Sequence, residues 1–102
     1  MKTGIEAIAQ ERKEQIEKHG RTVEDDLKLN SNWPLPLTKA ASSLTMQPIG
    51  LGTEFGKPEG WDEAIWQKMC AKTYKERLVI AGALIAAEYD RISLEEKLKA
   101  EN

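Results

Sequence analysis

Residue types that often carry chemistry or cross-links are scarce in this chain. It has one cysteine, Cys70, and one histidine, His19. A single cysteine excludes a disulfide within the chain and suits a reducing compartment. Because no histidine lies near Cys70 in the sequence, we interpret this cysteine as a small buried hydrophobe rather than a nucleophile. A zinc site of ordinary histidine and cysteine composition is not expected either.

Long apolar runs and an excess of one charge are also missing. No apolar stretch approaches the ~18 residues that a membrane span requires, and the segment Met1 to Gly4 lacks the apolar core of a secretory signal. The 15 lysines and arginines nearly balance the 17 aspartates and glutamates. Without a strong basic field, neither duplex nucleic acid nor an anionic membrane is an expected partner. We therefore expect a cytoplasmic protein.

Helical spacing of apolar residues extends along most of the chain, and no segment has the alternation typical of a strand. The predicted helices cover residues 4–19, 22–30, 38–46, 62–72 and 74–92, with a polar tail helix over 94–101. Gly20 is predicted to end the first helix in a left-handed conformation. Thr22 and Asp62 are predicted N-caps, whereas the role of Thr73 stays open. The sequence predicts an all-α fold, a compact bundle of about four to five helices.

The 102 residues fit one domain, which would bury about 65% of the surface that the unfolded chain exposes. We place this helical domain at residues 1–92 and the tail helix at 93–102, since Ser93 and Glu96 have the spacing of a capping box. Between the third and fourth helices, residues 48–60 hold four glycines and two prolines. This Gly/Pro-rich loop is long for a compact domain, and such loops are typically functional or mobile.

Two charged residues interrupt the apolar faces of the helices expected to form the core. A carboxylate such as Glu88 is costly in an apolar interior unless it is paired or bound to a metal. Arg12 is a suitable partner, because its planar guanidinium can grip both carboxylate oxygens. We predict a structural Arg12–Glu88 ion pair with Glu11, Gln15 and Arg91 around it. Binding of a metal or ligand by Glu88 is the alternative.

A basic ridge forms a second candidate feature. Lys68, Lys72 and Lys75 recur at helical spacing, and aromatic residues lie among them. Such a surface suits phosphates and a stacked base, although a lysine-rich helix face is commonly just solvated. Two tryptophans flank loops, where they either cover the core or line a pocket. The predicted ligand-binding residues are Arg12, Lys72, Lys75, Arg77, Trp33, Trp61 and Tyr74.

Several segments together resemble those of a group of small phage and prophage proteins. These segments are Glu11-Arg12-Lys13-Glu14-Gln15, Gly20 with Thr22 to Asp26, Leu37 to Ala41, Lys57-Pro58 and Ala81 to Arg91. They are similar to the ERxxQ helix, the Gly-x-Thr-x-x-x-Asp segment and the C-terminal AGALIxAExDR helix of that group. The resemblance implies a phage context, and therefore the cytoplasm of a bacterial host, rather than a particular reaction.

A more distant likeness is to the MazG-like all-α NTP pyrophosphohydrolases, in which acids of an EExxE helix and an ExxD helix hold Mg²⁺. The chain departs from that pattern, because Glu11 and Glu14 give only ExxE, and Glu88 and Asp90 give ExD. Residues two apart on a helix point about 200° away from each other. The departure argues against catalysis, and we assign no catalytic residue. Under this alternative, Mg²⁺ would be held by Glu11, Glu14, Asp25 and Glu88.

Three functions follow from these patterns. The first is binding of a nucleotide or cyclic nucleotide without turnover, with sequestration of a host immune signal as an anti-defence role. It needs no cofactor and suits a homo-oligomer, because small oligomers often build pockets between subunits. The second is Mg²⁺-dependent nucleotide pyrophosphohydrolysis. The third is a non-enzymatic module that binds another protein.

Overall fold

Helices account for all the regular structure in the part of the chain that is described. The computed structural model describes residues 1–31, 35–46 and 57–101, and none of them forms a strand. The helices are α1 (Gly4–Glu17), α2 (Val23–Leu29), α3 (Pro36–Leu44), α4 (Glu63–Cys70) and α5 (Tyr74–Glu101). The predicted all-α bundle is confirmed. Most of the predicted Gly/Pro-rich loop, residues 48–56, lies outside the described ranges.

Local capping residues set the helix boundaries. Gly20 follows α1 with a φ of 64°, the left-handed conformation expected of it. The hydroxyl of Thr22 accepts a hydrogen bond from the backbone N–H of Asp25, and Asp62 does the same for Ile65. Both predicted N-caps are confirmed. Thr73 forms a reciprocal capping box with Glu76 at the start of α5, so α4 and α5 are separate helices.

The long helix α5 does not break at Ser93. The predicted start of a separate tail helix at that residue is wrong, since α5 runs without interruption to Glu101. The hydroxyl of Ser93 donates to the carbonyl of Tyr89, one turn back, instead of capping a new helix. Arg91, Glu95 and Lys99 form consecutive ion pairs across the same region. Contacts of this spacing favour one continuous helix.

The middle of α5 is the centre of the bundle, and α1, α2, α3 and α4 all pack against it. Small residues allow the close approach of α1. A Cβ added at Gly82 would lie 2.8 Å from Cγ1 of Ile8 and closer still to its Cδ1. An alanine at this position would therefore require the Ile8 side chain to move, and glycine lets it pack directly on the backbone of α5.

One side of α5 packs in an apolar core. The core residues are Leu37, Ala40, Ala41 and Leu44 of α3, Trp66, Met69 and Cys70 of α4, and Ile80, Ala81, Leu84 and Ala87 of α5. Cys70 is buried, as interpreted from the sequence, and burial raises the pKa of its thiol. A raised pKa disfavours the thiolate that a nucleophile needs.

The other side of α5 meets helices with buried polar residues. Among the described side chains of α1, the buried ones are Arg12 and Gln15, and in α2 the buried side chain is that of Asp26. A helix that docks through charged groups gains less from the hydrophobic effect than one that docks through leucines. This polar packing of α1 and α2 against α5 surrounds the candidate site.

Candidate ligand-binding site

A cavity of about 350 Å³ lies between α1, α2 and the segment that leads into α4. We call it the α1–α2 cavity. Apolar walls come from Leu29, Leu37, Ile65, Leu84 and Ala87. Charged and polar side chains of α1, α2 and residues 59–62 complete the lining. Pockets for small ligands commonly combine largely apolar walls with a few polar groups.

A relay of hydrogen bonds crosses the lining of the α1–α2 cavity. The Nδ2 of Asn30 donates to Oδ1 of Asp26 at 2.8 Å, and the Oδ1 of Asn30 accepts from Nε1 of Trp61 at 3.0 Å. Asp26 and Asn30 meet because they lie one turn apart at the end of α2. The ring of Trp61 also makes an edge contact with Trp66, with centroids 6.2 Å apart. The indole is therefore held in one orientation.

Asp26 retains an unused acceptor. Its side chain is 5% exposed, and its Oδ2 is buried without a hydrogen-bond partner among the described residues. Burial raises the pKa of the Asp26 carboxyl, while the Asn30 hydrogen bond and the charges of Arg12 and Arg21 oppose that rise. Leaving a buried charged acceptor unsatisfied is unfavourable for folding.

Arg12 also lines the α1–α2 cavity, and its hydrogen-bond donors are only weakly used by the protein. It is 9% exposed, and its contacts are long: 3.4 Å from Nη1 to the carbonyl of Arg21 and 3.5 Å from Nη2 to Oδ2 of Asp90. Its Nε has no partner in the part of the chain that the structure describes. Ion pairs of good geometry have N–O distances of about 2.7–2.9 Å. The guanidinium is therefore only loosely engaged by the protein.

The predicted Arg12–Glu88 ion pair is wrong. Glu88 pairs instead with Arg91, with 2.6 Å between Oε1 and Nε and 3.2 Å between Oε2 and Nη2. Arg91 lies three residues away on the same helix, so the pair forms without help from α1, and both side chains are buried. Arg12 reaches Asp90 rather than Glu88. Glu88 did need a buried partner, but that partner was local.

The other predicted members of the Arg12 network take different places. Gln15 donates to Glu11 at 3.3 Å, so these two residues are paired within α1. Arg91 is the central cation of its own cluster, where it also contacts Glu95 at 2.8 Å and the hydroxyl of Ser31 at 3.1 Å. The polar residues predicted as one network therefore divide into two.

Only part of the predicted ligand-binding set borders the cavity. Arg12 and Trp61 line it, whereas Lys72, Lys75, Arg77 and Tyr74 do not. Trp33 lies outside the described residues. Of the six described residues of this set, the fold therefore brings only two to the cavity.

Arg77, which follows the lysines of the basic ridge in the chain, has a structural role. Arg77 is 5% exposed and donates to the carbonyls of Lys72, Leu44 and Met46 at 3.2, 2.9 and 2.9 Å. Its guanidinium also lies 5.4 Å from the ring centroid of Tyr74. These contacts tie the end of α3 to the start of α5. Arg77 is thus occupied in joining helices.

The acids of the alternative Mg²⁺ site have separate partners. Glu11 accepts from Gln15, Glu14 accepts from Gln10, Asp25 accepts from Thr22, and Glu88 is held by Arg91. Among the described residues, no three histidine, cysteine, aspartate or glutamate side chains are grouped so that they could hold a metal ion. The four acids do not form a common site.

Sequence reasoning missed Asp26, Asn30 and Arg21 as cavity residues. Acids such as Glu24, Asp25 and Asp26 are common in the first turn of a helix because its dipole favours them, so their presence there does not distinguish a buried one. Helical spacing nevertheless puts Asp26 and Asn30 on the side of α2 that carries Val23, which was an available signal. Arg21 carried no such signal, because its position over Trp61, 6.0 Å from the ring centroid, depends on the fold.

Comparisons with protein-family models, curated proteins and solved structures returned no match. Within residues 1–31, 35–46 and 57–101, no helix is both long and apolar enough to cross a membrane. The chemistry of the α1–α2 cavity is therefore the basis for assigning a function.

Proposed function

We propose that this chain binds a nucleotide or cyclic nucleotide in the α1–α2 cavity and holds it without turnover. The observation that carries the proposal is that one cavity is lined both by Arg12, whose contacts with the protein are long, and by the oriented indole of Trp61. A nucleotide offers a matching group for each of them: an anionic phosphate for Arg12 and an aromatic base for the indole.

Arg12 is the proposed phosphate ligand. A guanidinium presents five N–H donors in a planar fork that fits phosphate oxygens. The protein engages two of the nitrogens of Arg12, each at a long distance, and leaves Nε unpartnered within the described ranges. Because Arg12 is almost fully buried, solvent screens its attraction for an anion less than at the surface.

Trp61 is the proposed stacking surface. Its indole N–H is already used by Asn30, so contact with a base would be through the part of the ring that Arg21 and Trp66 leave uncovered. Arg21 lies at the outer limit of a cation–π contact with that ring, where it adds positive charge. Stacking of a base on an aromatic side chain contributes about 1–3 kcal/mol.

Charge and size favour a ligand with few phosphates. Four carboxylates and two guanidinium groups belong to the cavity lining, which would repel a triphosphate. A cyclic nucleotide carries a single negative charge on each phosphodiester. The cavity volume of about 350 Å³ is close to the lower end of the ~300–1,000 Å³ typical of ligand pockets. One mononucleotide is therefore the expected occupant.

Sequestration of a host immune signal is the biological role that we attach to this binding. It is motivated by the resemblance of the ERxxQ segment and the Ala81–Arg91 segment to phage proteins. A homo-oligomer is also proposed, supported by apolar side chains on the surface of α5, among them Ile85 at 55% and Tyr89 at 73% exposure. A binder of this kind would lower the free concentration of the signal without destroying it.

Isothermal titration calorimetry tests the proposal. Cyclic nucleotides and nucleoside monophosphates are titrated with and without Mg²⁺, and the ligand is then recovered and analysed by chromatography. We expect stoichiometric binding with the ligand intact. Arg12→Gln should weaken binding at least about tenfold, because a charge-assisted hydrogen bond is lost, and Trp61→Leu should weaken it to a similar degree.

Lys13→Gln is the matched control, since it removes an exposed positive charge from the same helix as Arg12. It should bind as the wild type does. Absence of binding by every nucleotide would contradict the proposal and favour a protein-interaction module. Release of pyrophosphate in the presence of Mg²⁺ would favour the hydrolase instead.

A further inference from the structure

An exposed apolar stripe runs along α5. Leu78, Ile85, Tyr89 and Ile92 are between 40% and 73% exposed and lie on one face of this helix. Together with Gly82 they follow alternating spacings of four and three residues, the pattern by which two helices pack along a common seam. Exposed apolar residues that are grouped in this way are typical of an interaction surface. We call this face the α5 stripe.

The α5 stripe is symmetrical about Ile85. Leu78 lies seven residues before Ile85, and Ile92 lies seven residues after it. When two copies of α5 pack antiparallel with their Ile85 side chains facing each other, Leu78 of each copy lies opposite Ile92 of the other. The same apolar contact is then made twice, once on each side of a two-fold axis. Such a self-complementary surface is what a symmetric dimer requires.

The charges at the ends of the α5 stripe favour the antiparallel orientation. Lys75 lies ten residues before Ile85, and Glu96 lies eleven residues after it. Neither of them forms an ion pair with another described residue. In an antiparallel pair, Lys75 of each copy lies beside Glu96 of the other. A parallel pair would place lysine beside lysine and glutamate beside glutamate, which is unfavourable.

The position of the α5 stripe leaves the α1–α2 cavity free. Leu84 and Ala87, which line that cavity, point at least about 100° away from Ile85 around the helix. From Lys75 to Glu96 the stripe extends over about 30 Å, because each residue of an α-helix adds about 1.5 Å. A contact of this length can form without covering the cavity of either copy.

We propose that the α5 stripe binds a second copy of this chain, antiparallel, with Ile85 on the two-fold axis. This inference rests on the homo-oligomer of the proposed function and names its interface, and it does not depend on nucleotide binding. The occupant is a second copy because the stripe complements itself, in its apolar residues and in its end charges. Each copy keeps its own cavity, so the dimer would hold two ligands.

Sedimentation velocity over a range of protein concentrations tests the inference. We expect the wild type to form a dimer. Ile85→Glu should weaken association at least about a hundredfold, because it places two like charges against each other on the axis and removes an apolar contact. Leu29→Glu is the matched control, since it introduces the same charge at a leucine that is 73% exposed and lines the cavity instead of the stripe. It should dimerise as the wild type does.

Charge reversal tests the antiparallel orientation. Lys75→Glu and Glu96→Lys should each weaken association about tenfold, because each variant replaces two attractions between the copies by two repulsions. The variant with both substitutions should associate as the wild type does. Its recovery cannot arise within one chain, since the two positions are about 30 Å apart along one helix. Lys68→Glu, an exposed charge reversal on α4, should leave association unchanged.

The outcomes separate this inference from the proposed function. A wild type that stays monomeric would overturn the inference together with the homo-oligomer, and would leave nucleotide binding to be decided by calorimetry. A dimer that Ile85→Glu does not weaken would overturn the inference alone, as would failure of the double charge reversal to restore association. Dimerisation without nucleotide binding would remove the proposed ligand and leave the interface intact. If Ile85→Glu failed to fold, the charge-reversal series would still decide the question.

Discussion

Two buried arginines of this protein contact their surroundings in opposite ways. Arg91 is 4% exposed and is surrounded by acceptors at 2.6 to 3.2 Å. Arg12 is 9% exposed, but its contacts are at 3.4 and 3.5 Å and its Nε has no partner in the described ranges. A buried guanidinium such as that of Arg91, whose donors are all close to acceptors (a saturated cluster), holds the structure together. A buried guanidinium such as that of Arg12, whose donors are weakly used and lie beside a cavity, can also bind a ligand.

The carboxylates near the two arginines differ in the same sense. The Glu88 hydrogen bond raises the pKa of Arg91, so the pair favours its charged form. Burial raises the pKa of the Asp26 carboxyl, so the ionised form is disfavoured in the folded protein relative to the unfolded chain. The Arg91–Glu88 cluster therefore stabilises the fold. Burial of the Asp26 carboxylate instead costs stability, which is common at binding sites and consistent with the binding that we propose here.

The largest expected effect is on the saturated cluster. Glu88→Gln removes the negative charge that faces Arg91 and should lower the free energy of unfolding by about 3–5 kcal/mol. Urea denaturation followed by circular dichroism measures the change. Glu95→Gln is the control, because its partly exposed ion pair should contribute only about 0–1 kcal/mol. Equal effects of the two variants would remove the distinction between buried and peripheral partners of Arg91.

Asp26→Asn should act in the other direction. It removes an unsatisfied buried charge and preserves the hydrogen bond from Asn30, so the free energy of unfolding should rise by about 1 kcal/mol at neutral pH. The same urea titration measures it, with Glu24→Gln as the surface control. A marked loss of stability would mean that the charge of Asp26 supports the fold, contrary to the role assigned here.

The effect of Asp26→Asn should also depend on pH. The folded pKa of Asp26 is raised, so folding takes up a proton between the unfolded and folded pKa values. The wild type should therefore gain stability relative to the variant as the pH falls through the folded pKa, and lose it as the pH rises. Unfolding curves of both proteins between acidic and neutral pH measure the difference. A difference that stays constant over this range would contradict the raised pKa.

The smallest expected change in stability follows from Arg12→Gln. Its ion pair with Asp90 is long, and Asp90 is half-exposed, so the free energy of unfolding should change by no more than about 1 kcal/mol. Ligand affinity should fall far more, as expected of a residue kept for binding. Thermal denaturation with and without cyclic GMP measures both effects. A loss of stability as large as that caused by Glu88→Gln would mean that Arg12 mainly supports the fold rather than binding a ligand.

Local signals in the sequence predicted the fold class and several helix boundaries. Gly20, Thr22 and Asp62 act as predicted because a cap depends on residues within one turn. The predicted cap at Ser93 is wrong because of another local effect. Ion pairs between residues one turn apart keep α5 continuous through Ser93. Local patterns were thus informative, but at Ser93 the spacing of a capping box competed with ion pairs that favour a continuous helix.

The site was less predictable because it depends on how helices cross. The sequence indicated that Glu88 needs a buried partner and placed Arg91 within one turn of it, but the contacts of Arg12 with Asp90 and Arg21 required the relative positions of α1 and α5. Asp26 gains its importance from Trp61, which lies 35 residues further along the chain and approaches it through Asn30. The hydrogen bond between Asn30 and Trp61 joins two distant segments, so residue spacing within one helix could not predict it.

Side-chain NMR of the arginines tests the contrast between Arg12 and Arg91 most directly. Cyclic GMP is titrated into the ¹⁵N-labelled protein, and the Nε–H resonances of both residues are followed. The Arg12 resonance should shift in a saturable way, while that of Arg91 should stay in place because its Nε–H is already bonded to Glu88. Binding of cyclic GMP that leaves Arg12 unchanged, or that shifts both resonances equally, would contradict the assignment of Arg12 as the ligand-binding arginine.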